Sequence, residues 1–260
     1  MGAVFPRAKS VSSDASNRWR YLATGFLAIA LSMLVSCSGG GGNGGKASDT
    51  KSPQQGDVAT PTSDGRVQAA ADEGVLKLED LPSGWVEAGP SGEDTSDPCG
   101  LKELRSRATA WAESAFSKDH DQVSNGVFIY PNDSDADGMV TEFVERMKSC
   151  DPEAMLKALS EGAAANVTYR DVTIGRLSFT QLGDRSEALR ATVTFSLKAT
   201  PPDEETTGKI DMDYVLVRSG RTVSALVVVQ PLTVTPGLSE EMATRALSKL
   251  EEAAKMLSGG

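Results

Sequence analysis

Three carboxylates at alternate positions followed by a glycine, Asp133-Ser-Asp135-Ala-Asp137-Gly138, have the opening spacing of a calcium loop. Position twelve of that loop would need a bidentate Glu and is Val144; Glu142 stands at position ten. Asp133, Asp135, Asp137 and Glu142 are therefore the candidate metal ligands, in a shortened loop similar to that of excalibur-type modules, with Thr141 where those carry a Cys. The same acids also suit a helix N-terminus, where each is worth about 0.3–1 kcal/mol against the macrodipole. Both readings of the segment stand.

The single histidine, His120, lies in Lys118-Asp-His-Asp121. One His cannot build a His-rich zinc site, and a nucleophile–His–Asp arrangement would have to use this residue; a polar turn accounts for all three side chains. Ser48-Asp-Thr-Lys51 has a Ser-x-x-Lys spacing but sits in a stretch without hydrophobic pattern. Asn132-Asp-Ser134 and Asn166-Val-Thr168 match glycosylation sequons. No G-x-S-x-G elbow, Walker A loop or G-x-G-x-x-G is present. No catalytic residue and no cofactor is expected.

The first of the three cysteines, Cys37, does chemistry of another kind. Residues 1–36 comprise a basic stretch ending Arg18-Trp-Arg20, an apolar stretch from Tyr21 to Val35, and Leu34-Val-Ser-Cys37. Fifteen apolar-leaning residues form an h-region rather than a membrane-spanning helix, which takes roughly 20. Leu34–Cys37 resembles the lipobox of bacterial lipoproteins, which implies a signal peptide over 1–36 and diacylglycerol on the Cys37 sulfur. The expected location is the extracytoplasmic face of the cell membrane. Residues 37–72 are rich in Gly, Ser, Thr, Asp, Pro and Gln, a composition that cannot offset chain entropy by burial. They are expected to form a tether reaching on the order of 30 Å.

Cys99 and Cys150 remain, an even pair in an exported chain, and a structural disulfide is the simplest account. A redox or metal pair is the rival, without C-x-x-C spacing or a nearby His to support it. Beyond residue 36, 22 cations face 35 anions, the wrong sign for binding phosphate backbones; nucleic acid is excluded as a partner.

The elements expected over 73–260 define an α+β domain, with an antiparallel sheet of about five to six strands packed by two or three helices. Val75–Leu78 reads as a short strand or an extended entry into a turn, and Pro98–Arg105 as a short helix with Asp97 at its N-cap. Residues 108–117 permit either strand or helix, and 122–130 read as strand. A helix begins near Asp137, with Val140, Phe143, Val144 and Met147 on one face, and ends at Cys150; a second runs from Glu153 to Glu161. Ala191–Lys198 alternates with period two. Ile210–Val217 and Thr222–Val229 form a hairpin, whose second strand is continuously apolar over 225–229 and so expected at the sheet centre, covered on both faces. Ser239 is expected to cap a final helix with Ala243, Leu247, Leu250, Ala254 and Leu257 inward.

Leu81-Pro82-x-Gly84-Trp85, Cys99 before a short helix, the strand Val127–Tyr130 and an amphipathic helix ending in Cys150 together resemble a group of actinobacterial lipoproteins and receptor-kinase ectodomains. The group includes the sensor domain of the mycobacterial kinase PknH and the LpqN-type lipoproteins with a Mog1/PsbP-like α/β/α sandwich. The resemblance covers most of 75–257. This chain departs from the kinase domain in having one cysteine pair where that domain carries two disulfides. The resemblance implies a non-enzymatic, sensor-like domain that binds an envelope protein or lipid, the membrane itself being a partner through the anchor. A carrier of an apolar envelope molecule, which needs a cavity of several hundred Å³, is the alternative. For a cell-wall enzyme, acid and base residues exist but nothing in the sequence arranges them.

Overall fold

The computed structural model describes residues 63–88, 97–161, 163–198, 205–231 and 234–258; Cys37, the expected signal peptide and most of the expected tether lie outside them. Among the described residues one seven-stranded antiparallel sheet carries helices on both faces. Its strands are β1 (Val86–Glu87), β2 (Ala110–Lys118), β3 (Asp121–Ile129), β4 (Val167–Arg176), β5 (Arg185–Lys198), β6 (Glu205–Ser219) and β7 (Thr222–Gln230). They lie in the order β1-β2-β3-β7-β6-β5-β4. β7 is the middle strand and every one of its residues is buried, because each side chain meets a helical layer whichever way it points. The α+β class is as expected; the strand count is higher by the two-residue edge strand β1, and the described helices outnumber the two or three expected.

Alternation along the strands divides the core. One layer, beneath α3 (Asp133–Ser149), takes Phe128, Leu189, Ala191, Tyr214 and Val227. The other, beneath α5 (Leu238–Ser258), takes Val123, Val127, Val215, Leu226 and Val228. Phe128 and Val127 are sequence neighbours in different cores, as a period of two requires.

The four expected inward residues of α3 are all buried, but the helix starts at Asp133, four residues before the expected point. Asn132 caps it by accepting from the Asp135 amide at 2.9 Å, so the acidic run forms its first turn. α4 (Pro152–Glu161) follows. α2 (Lys102–Ser106) is shorter than expected: Gly100 at φ +70° turns the chain, and Asp97 accepts from the Leu101 and Lys102 amides at 2.7 and 2.8 Å from below the turn.

Val75–Leu78 takes the extended-entry form rather than a strand: a 3₁₀ turn occupies Leu78–Asp80, while Leu76 donates its amide to the buried Asn125 side chain at 2.9 Å. Two further expectations are corrected. Ser239 lies inside α5 and its hydroxyl donates to Asp213. The buried face of α5 is Met242, Ala243, Ala246, Leu250 and Ala253, rotated from the expected stripe, with Leu247, Ala254 and Leu257 half-buried. The rotation follows from α1 (Ser63–Gly74), which packs beside α5 with Gly74 against Ala253. α1 begins inside the segment expected to be tether. Its Ala70 and Ala71 are wholly buried on Ala110, Ile129 and Ala253, a stripe of small residues that an overall polar composition conceals.

Candidate functional site

Cys99 and Cys150 are joined, with S–S 2.06 Å and Cα atoms 4.9 Å apart. The bond ties the turn before α2 to the C-terminus of α3, a junction also held by Arg146, which donates to the Gly100 carbonyl and pairs with Glu103 and Glu142. Glu142 in turn receives Arg107. These bonds hold the carboxyl of Glu142 below the usual carboxylate range, Arg107 contributing most.

The calcium candidates are not gathered into a ligand set. Asp137 faces two guanidiniums, Arg185 at 3.0 Å and Arg218 at 3.4 Å, and Glu142 points to Arg107 and Arg146 further along the helix. Asp135 bonds the cap residue Asn132. Among the described residues no cluster of three or more metal-ligating side chains occurs. Asp119 and His120 form the two-residue turn of the β2–β3 hairpin, with Asp119 at φ +54°, a left-handed position that Asp tolerates.

The polar groups that converge lie elsewhere, where the α5 face of the sheet runs past the helix N-terminus. β5 and β6 place Arg190 directly opposite Asp213. Arg190 Nε and Nη2 donate to the two Asp213 oxygens at 2.6 and 2.8 Å, and Ser239 Oγ donates to Asp213 Oδ2 at 2.6 Å. Asp211, two residues earlier, accepts from Thr192 at 2.7 Å and lies 3.4 Å from Arg190. The Asp213 bond, more than any other contact, raises the Arg190 pKa further above its ordinary value. Asp213 is 2% exposed and Arg190 28%, so the fork is reached by solvent from the arginine side only.

Above this floor opens a cleft of about 120 Å³. The last residue of β7, Gln230, shares the floor; Leu177 and Phe179 form one wall, Val234 and Thr235 another. The wall loop after β4 is shaped by Gly183 at φ +60°, where a Cβ would stand 2.5 Å from the Arg218 carbonyl oxygen. Thr180 donates to Glu240, fastening that loop to the first turn of α5. By contrast, the apolar space lined by Leu101, Phe143, Tyr214 and Leu226 amounts to about 10 Å³ and offers no room for a lipid.

None of Arg190, Asp213, Gln230 and Ser239 was among the sequence candidates. Their trace in the sequence is Asp211 and Asp213 interrupting an apolar strand at alternate positions, which places carboxylates on a core-facing side of β6.

No known protein family and no curated protein matches the chain. Among solved structures it is similar to the extracellular domain of PknH from Mycobacterium tuberculosis, at 11% identity and a TM-score of 0.40, over 72% of this chain and 96% of that one. It is also similar to a mutant of the protein Mog1 (11% identity, TM-score 0.26, 68% and 82% of the chains). The Saccharomyces cerevisiae Ran-binding protein Mog1p is similar at 10% identity and TM-score 0.21, over 68% and 84%. Scores this low bear on neither ligand nor activity.

Proposed function

We propose that this chain is an extracytoplasmic, lipid-anchored, non-enzymatic binding lipoprotein of a sensor-like kind. Cys37 holds it to the membrane, and the disulfide-braced α+β domain presents the cleft above Arg190 and Asp213 as its recognition site. The observation that carries binding over reaction is the state of the cleft floor. A reacting site needs a group free to take a proton or attack, whereas both oxygens of Asp213 accept hydrogen bonds from Arg190 and the Ser239 hydroxyl is spent on the same carboxylate. The anchoring half rests on Leu34–Cys37 directly following the apolar stretch 21–35.

The test is metabolic labelling of the full chain with an alkyne fatty acid in an actinobacterial host, alongside Cys37→Ala. The parent is expected to carry the label and to sediment with membranes, and the variant to lack it and appear outside the cell. Label retained in Cys37→Ala would overturn the anchor assignment.

A further inference from the structure

Gln230 is 3% exposed, lines the cleft, and its Nε2 has no hydrogen-bond partner among the described residues. A buried polar nitrogen left unpaired costs about 1–3 kcal/mol, so the fold retains at this point a donor without a partner, one that meets an incoming group once the carboxamide turns toward the cleft. A carboxamide carries a donor and an acceptor, and a half-turn about its last bond presents either one.

The charges around it select among ligands. A carboxylate would approach Asp213 and Glu240 with only Arg190 to offset them, and Arg190 is already committed to Asp213. A protonated amine finds both Asp213 oxygens already bonded and could accept nothing from Gln230, leaving the free Nε2 unpaired. A neutral amide meets no charge repulsion and answers a carboxamide with one acceptor and one donor. The walls set the substituent: Leu177, Phe179 and Val234 are apolar, and the cleft of about 120 Å³ has room for an acetyl-sized group.

We infer that the cleft binds a neutral acetamido-type amide, its amide paired to Gln230 and its methyl against Phe179 and Val234; this rests on the cleft being the recognition site. Such a group is borne by N-acetylated amino sugars and by acylated peptide ends.

Saturation-transfer NMR on the full chain, purified from membranes in detergent, tests it with four probes: N-acetylglucosamine, N-acetylalanine methylamide, acetate and glucosamine. Saturation of the acetyl methyl of at least one amide probe is expected at fivefold or more over acetate and glucosamine, and the stronger of the two identifies the source. Gln230→Leu should cut that signal at least fivefold without lowering the melting temperature, since it removes an unsatisfied polar atom. Phe179→Ala, in the wall loop, should weaken it as well and keeps the test open if the first variant misfolds. Acetate or glucosamine saturating as strongly as the amides overturns the amide assignment and leaves a binding cleft. Silence from all four overturns both.

Discussion

Replacing Asp213 by Ala removes the acceptor for three hydrogen bonds and leaves a guanidinium and a hydroxyl facing an apolar layer. Breaking a buried ion pair from one side costs about 3–5 kcal/mol when the abandoned charge stays dry. Arg190 is 28% exposed and recovers part of its hydration, which brings the expected loss to about 3 kcal/mol. For a domain of this size that is a fall in melting temperature of roughly 6–12 °C. The triple variant Arg190→Met, Asp213→Leu, Ser239→Ala replaces the three groups with apolar side chains and should recover most of the loss, because no guanidinium or hydroxyl is then left facing the core, while Asp211 loses its ion pair with Arg190 but keeps the Thr192 hydrogen bond. Thermal unfolding followed by circular dichroism measures all of these. The reasoning fails if Asp213→Ala shifts the midpoint by less than about 2 °C, or if the triple variant is as unstable as the single one.

Glu113 is buried to 12% side-chain exposure and lies 3.3 Å from Arg105, itself stacked on Trp111 at 3.3 Å from the ring centroid. Burial pushes its carboxyl up to about 7, with Arg105 opposing. An acid raised in the folded state binds a proton there that the unfolded chain has released, so its contribution to stability should fall as pH rises from about 4.5 to 7. Glu113→Gln should flatten that slope in a pH series of urea midpoints, and an unchanged slope would assign it to other groups. Reducing the Cys99–Cys150 bond, which closes a separation of 51 residues, should cost up to about 4 kcal/mol by chain entropy; equal melting temperatures with and without reductant would contradict this. Millimolar calcium should produce neither saturable heat in titration calorimetry nor a thermal shift, because Asp137 and Glu142 already serve arginines. A one-to-one binding isotherm would refute it.

How much of the fold could be read in advance differs by element. The period-two run over 191–198, the apolar run at 225–229 and the stripe Val140–Met147 are one-dimensional patterns that need no partner to be recognised, and each lies where its pattern puts it. α1 was hidden because its buried face is Ala70, Ala71 and Gly74 with Val67 half-buried beside them, too little apolar surface to stand out among its polar neighbours. It is stable by packing on α5, and its presence there turned α5 away from the expected face.

By itself the sequence determined the α+β class, the position of β7, the alternation of its strands and the pairing of its two remaining cysteines. Each of these is set by local hydrophobic period or by arithmetic on a single residue type. The tertiary structure alone decided the site. Arg190, Asp213, Gln230 and Ser239 come from three strands and a helix, and only the antiparallel register of β5 on β6, with α5 beginning above them, converts four scattered polar residues into one floor. It also gave Asp137 its arginine partners, which lie 48 and 81 residues further along the chain, a distance that no local spacing records.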